Sequence, residues 1–168
     1  VSTIDIDNDG WLDLVFVARN GDVRHWRNMR DGSFSQERLP GIDGFGYSLD
    51  WADLDRDGDL DLVIASYDAS LEKQSPLFRE SNRAGVWVYL NENGRFEGQR
   101  LIDQAQALAI SIHDLNLDGH LDILVGNDFS VRDYVWYGGE EGWQAAEPFS
   151  TTSMSTMSYA IGDLDNNG

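Results

Sequence analysis

The chain has 168 residues, 30 Asp and Glu against 12 Lys and Arg, a formal charge of -18, three histidines and no cysteine. This size suits one domain, and the missing cysteine removes disulfides, thiolate metal sites and cysteine nucleophiles. Scattered cations in a strongly negative field argue against a nucleic-acid partner, and no apolar run approaches the about 20 residues of a transmembrane segment.

In chain order, the sequence predicts repeated units of short strands. Val1 already stands in a strand-like segment with no charged and apolar leader before it. An acidic loop follows, Asp5, Asp7 and Asp9 with Gly10 behind them and Asp13 in ninth place. Strands are expected at 11–18, 23–28 and 33–39, the last two joined by a turn at Asp31 and Gly32. The second unit opens with a strand at 45–52 and an acidic loop of Asp53, Asp55, Asp57, Gly58 and Asp61. Strands at 60–66, 86–91 and 95–102 complete it, and the polar stretch 68–85 with Pro76 reads as an inserted surface loop. The third unit repeats the scheme with strands at 107–113, 121–126, 134–138 and 143–149 around Asp114, Asn116, Asp118, Gly119 and Asp122. A serine-rich connection at 150–158, a strand at 156–162 and the opening of a fourth loop, Asp163, Asp165, Asn167 and Gly168, close the chain.

Oxygens at loop positions 1, 3 and 5 converge when the backbone curls tightly, and glycine at position 6 permits the positive φ of that curl. Three side chains, a main-chain oxygen at position 7 and the ninth-position carboxylate provide hard ligands for an ion that takes about six to eight oxygens at roughly 2.3–2.6 Å. Calcium fits better than magnesium, which keeps more of its water. Position 7 is Trp11, Asp59 and His120; a main-chain ligand explains why such unlike residues interchange there. One Ca²⁺ is expected per complete loop, three in all, with a fourth at Asp163, Asp165 and Asn167 only where the loop continues. An EF-hand needs a bidentate Glu at position 12 and flanking helices, whereas position 12 is Phe16, Ile64 and Val125 inside apolar strands. A plain hairpin turn would need no such crowding of like charge. Thirteen of the 30 acids sit at these ligand positions, so the acidity is chiefly local.

Loop starts at 5, 53, 114 and 163 recur with the period of propeller blades, and strand, acidic loop, strand, strand, turn, strand is a four-stranded antiparallel meander. The expected fold is all-β: an incomplete β-propeller of about three to four blades, with units near 1–40, 41–103, 104–150 and 151–168. Closed propellers use about four to eight blades, so the remainder is expected from further sequence or another chain.

The run Asp-x-Asp-x-Asp-Gly-x-x-Asp-Leu into an apolar strand resembles the FG-GAP and VCBS-type repeats of integrin-α-like calcium-binding propellers. Phe45 and Gly46 supply the first half of that signature, while Ala65, Ser66 and Tyr67 stand where its second half would be. With Asn91 to Phe96 after the third strand, the chain is more similar to the bacterial VCBS form. The resemblance implies calcium between the first two strands of each blade; integrin-style ligand binding is not carried over with it.

Aligning the third strands on Asn28, Asn91 and Gly138 brings Trp26, Tyr89 and Trp136 into one register, as expected of packing between blades. Trp11 and Trp143 fall outside it and are the expected exposed aromatics. Of His25, His113 and His120, the last two lack a nucleophile to activate and all three read as ordinary strand or loop histidines, and no phosphate cradle or zinc spacing appears. The expected function is a non-catalytic, calcium-binding interaction scaffold for protein or carbohydrate partners, extracellular, at the cell surface or periplasmic. The alternatives are the propeller of a secreted carbohydrate-active enzyme such as a polysaccharide lyase, and a propeller subunit of a membrane-associated assembly.

Overall fold

The computed structural model describes residues 1–68, 82–129, 131–153 and 155–164. Among them lie twelve strands: β1 (Ser2–Ile4), β2 (Asp13–Val17), β3 (Val23–Asn28), β4 (Phe34–Glu37), β5 (Ser48–Ala52), β6 (Asp61–Ala65), β7 (Val86–Glu92), β8 (Arg95–Ile102), β9 (Ala107–His113), β10 (Asp122–Asn127), β11 (Tyr134–Tyr137) and β12 (Gln144–Ala146). They form three four-stranded sheets, each an antiparallel meander in sequence order. The all-β expectation and its grouping into propeller blades hold, strand by strand, through 146.

The middle sheet shows why. Side chains of a strand alternate between faces, and every residue of β6 is buried, so both faces must be covered. Leu62 and Ile64 join Ile6, Val15, Tyr89 and Phe96 in one core, whereas Val63 and Ala65 join Val86, Val88, Ile123 and Val125 in the other. The second sheet is thus packed between the first and third. Tyr89 fills the first seam and Trp136 the second, the register expected of blade-to-blade packing. The opening strands lie innermost: β5 runs against β9, and Ser2, Leu49 and Ile110 line one cavity. The fourth strands are outermost; β4 is exposed along its whole length.

The Phe45-Gly46 pair closes the first seam. Gly46 N donates to Gly21 O at 2.8 Å, and a Cβ on Gly46 would lie 2.4 Å from Ile64 Cδ1. The Arg83 guanidinium covers the Phe45 ring at 3.9 Å. The ends of the expected insertion are tied into this framework: Ala84 and Gly85 are buried, Ser66 N donates to Gly85 O at 2.9 Å, and Ala105 N donates to Asp68 Oδ2 at 3.1 Å. Residues 69–81, the bulk of it, lie outside the described residues.

Two expectations need correction. Residues 156–162 are not a strand: an opening strand pairs with the strand that leaves its acidic loop, and no such partner lies among the described residues. The segment instead docks on the third sheet through Thr156 N donating to Asn127 O at 2.9 Å. Trp143 is not a free aromatic; it packs with Leu54, Leu90 and Leu121 against the second seam. Trp11 remains 47% exposed.

Candidate metal centres

The three complete acidic loops join β1 to β2, β5 to β6 and β9 to β10, at the same end of their sheets. All three share one internal scaffold. The position 6 glycines take φ of +85°, +97° and +90° at Gly10, Gly58 and Gly119, and position 4 is left-handed too: Asn8, Arg56 and Leu117 have φ of 55°, 66° and 59°. Only glycine adopts such φ freely, and side-chain hydrogen bonds hold the curl. The first carboxylate accepts from the glycine N–H in every loop, at 2.8 Å for Asp5, 3.1 Å for Asp53 and 2.8 Å for Asp114. The fifth-position carboxylate accepts from the seventh-position N–H, at 2.9 Å for Asp9 and 2.8 Å for both Asp57 and Asp118. Trp11, Asp59 and His120 are thereby fixed through their main chain.

The ninth-position acids Asp13, Asp61 and Asp122 are buried and have a task the sequence does not announce. Each accepts a hydrogen bond from an N–H within one residue of the end of the third strand of its sheet: Asn28 to Asp13 and Asn91 to Asp61 at 2.8 Å, Gly138 to Asp122 at 2.9 Å. The second oxygen of Asp61 accepts from Leu54 N at 2.6 Å and that of Asp122 from Leu115 N at 2.8 Å. In the first loop His25 takes this place, with Nε2 3.0 Å from Asp13 Oδ2. These aspartates latch loop to sheet through main-chain hydrogen bonds.

The donor sets then diverge. In the first loop Asp5, Asp7 and Asp9 converge, with ligand atoms within 4.8 Å of one another. In the second loop Asp53, Asp55 and Asp61 do so, and Asp55 and Asp57 gather with Glu92, which the sequence reading missed because Glu92 ends β7, 35 residues after Asp57. In the third loop the amide of Asn116 donates to Asp118 Oδ2 at 2.8 Å, and no three acids converge there among the described residues. Of the fourth loop's expected ligands only Asp163 is described; Asp165 and Asn167 lie outside the described residues.

Loop two carries the electrostatic signature of a cation site. Asp53 Oδ1 is buried without a hydrogen-bond partner. Burial pushes the Asp61 carboxyl up to about 6 against the hydrogen bonds from Asn91 and Leu54, and the neighbouring charges of Asp55 and Asp57 add to the rise. A doubly charged ion would satisfy the orphaned oxygen and cancel this repulsion. The residues therefore fit a hard divalent cation. Adjacent loops also touch: Asn8 Nδ2 donates to Asp59 Oδ1 at 3.0 Å and Gly58 O at 3.3 Å, and Arg56 reaches Gly119 of the third loop.

At the opposite end of the sheets, where β5 begins and β6 and β10 finish, three aromatics form a row. Tyr47 and Tyr67 have ring centroids 4.9 Å apart, and Tyr67 and Phe129 6.1 Å. Tyr47 is 53% and Phe129 63% exposed, and Tyr67 Oη donates to Asp128 Oδ2 at 2.9 Å.

Comparison with known proteins agrees with this architecture. The model of the FG-GAP-like repeat matches residues 5–64 and 114–168, and that of the FG-GAP repeat matches 45–89. The chain is 34% identical over 152 residues to integrin alpha-7 of Homo sapiens, covering 80% of the chain and 12% of that protein. It is 30% identical over 142 residues to integrin alpha-6 of Gallus gallus, covering 73% and 12%. With integrin alpha-PS3 of Drosophila melanogaster the identity is 23% over 175 residues, covering 92% and 14%. The chain spans about an eighth of the length of these relatives.

Proposed function

The chain belongs to the FG-GAP-like repeat family, and on that premise we propose that it is a set of non-catalytic, calcium-stabilised propeller blades in an exported protein, serving as an interaction scaffold. The blades run near 1–40, 41–103 and 104–150, and 151–168 opens a further one. Each complete loop takes one Ca²⁺ through its first, third, fifth and ninth side chains and the main-chain oxygen of Trp11, Asp59 or His120. Asp163, Asp165 and Asn167 begin a fourth site.

The observation that carries this reading is the second loop, where a buried carboxylate oxygen on Asp53 lacks a partner beside a buried Asp61. A stable fold rarely leaves such an atom unsatisfied. An ion bound only by the folded state raises stability by mass action, which suits surroundings rich in calcium and supports an extracellular, cell-surface or periplasmic location. The row of Tyr47, Tyr67 and Phe129 is the surface best suited to a protein or carbohydrate partner, since flat exposed rings offer contact area at low entropic cost.

Isothermal titration calorimetry tests the assignment. Calcium should bind in the range of about 10⁻⁴–10⁻³ M or tighter, magnesium more weakly, and Asp53→Asn should remove the tightest site. Absence of calcium heat, or equal response to magnesium, contradicts it.

A further inference from the structure

We propose that the three complete loops are unequal calcium sites: Arg27 and Arg30 are built-in counter-cations that hold the first loop folded without an ion and lower its affinity, leaving the second loop as the tight site. This rests on the calcium assignment above and concerns what distinguishes one blade from the next.

In every loop, Oδ1 of the fifth-position aspartate is engaged by the seventh-position N–H, so Oδ2 is the oxygen left to face an ion. In the first loop that oxygen is held by Arg30 Nη2 at 2.6 Å, with Arg27 Nη2 at 3.6 Å. Arg27 also grips the third-position acid, 2.5 Å from Asp7 Oδ2. The Arg30 contact holds the Asp9 carboxyl below its ordinary value. In the third loop the same oxygen accepts from the Asn116 amide, a neutral cross-link. In the second loop, among the described residues, no guanidinium is paired with Asp53, Asp55, Asp57 or Asp61, and Asp53 Oδ1 is unpartnered as well.

The difference is written in β3 and the turn that follows it. The latch from Asp13, Asp61 and Asp122 fixes Asn28, Asn91 and Gly138 as equivalent, which sets Arg27 and Arg30 against Leu90 and Asn93 in the second blade and Tyr137 and Glu140 in the third. Where the first blade directs two cations at its loop, the second adds Glu92. A calcium ion entering the first loop must displace or repel both guanidinium groups, whereas the acids of the second have, among the described residues, no guanidinium paired with them.

The test follows the amide signals of Gly10, Gly58 and Gly119, one per loop, by NMR during calcium titration of the native protein and of the Arg27→Gln/Arg30→Gln variant. In the native protein Gly58 should saturate at a calcium concentration about tenfold or more below that which moves Gly10. In the variant Gly10 should shift into the range of Gly58, and its ion-free hydrogen exchange should quicken. Arg30→Gln alone should move Gly10 part of the way, which keeps the test decisive if the double variant misfolds. Gly10 and Gly58 saturating together in the native protein, or a variant that leaves Gly10 unchanged, overturns the proposal while calcium binding stands. No response at any of the three glycines overturns the calcium assignment itself.

Discussion

Asp61→Ala is expected to be the most damaging single change in the second blade, costing about 2–5 kcal/mol. The carboxylate is fully buried and accepts hydrogen bonds from Asn91 N at 2.8 Å and Leu54 N at 2.6 Å. Alanine strands both donors beside a buried site and removes a ligand from the loop. Urea unfolding should show the loss with and without calcium, because the latch is made of hydrogen bonds to the main chain. Asp61→Asn separates the roles by keeping shape while losing charge. In the ion-free native fold the Asp61 carboxyl lies at about 6 against an ordinary 3.8, raised chiefly by burial. Between those values the folded chain holds a proton that the unfolded chain has released. Its contribution to stability is therefore present at low pH and is lost as pH rises through about 6. The ion-free native protein should lose stability between about pH 4 and about pH 6, and Asp61→Asn should flatten that segment; a native profile with the opposite slope would refute the assignment.

Gly85→Ala is the second large effect, at about 3–4 kcal/mol. Gly85 enters β7 with φ of +99°, and a Cβ there would lie 1.9 Å from the Ile102 carbonyl oxygen. Its N–H donates to Ser66 Oγ at 2.8 Å and its carbonyl accepts from Ser66 N at 2.9 Å. Neither a rotated peptide nor a shifted β8 is available without opening the middle sheet. Gly10→Ala is the matched control: its φ of +85° is equally left-handed, yet nothing lies within 4 Å of the added methyl. That variant should lose only the backbone cost, about 1 kcal/mol. Equal melting temperatures for the two variants would show that the close approach at Gly85 carries no weight.

Much of this architecture was legible because acidic loop and apolar strand alternate in one register. The strands around Asp53 and Asp61 follow from Leu62 to Ala65 being apolar on both faces, and the aromatic register of Tyr89 and Trp136 announces the seams. The roles of side chains whose partners come from elsewhere in the chain were not legible. A ninth-position aspartate looks the same whether it ligates or latches; only the fold brings Asn28, Asn91 and Gly138 to the three of them. Arg27 and Arg30 were hidden because β3 folds them back over a loop about twenty residues earlier. Glu92 escaped notice for the same reason. Trp143 looked exposed because its covering residues, Leu54 and Leu90, belong to the neighbouring blade. The missing strand at 156–162 shows the limit of local pattern: a strand exists only beside a partner.

Thermal unfolding in millimolar calcium and again in excess EGTA tests the central claim most directly, because it asks whether the acidic loops need a cation to tolerate their own charge. Calcium should raise the melting temperature by about 5–10 °C, and magnesium at the same concentration should raise it by less. Superimposable curves in calcium and chelator would contradict the account.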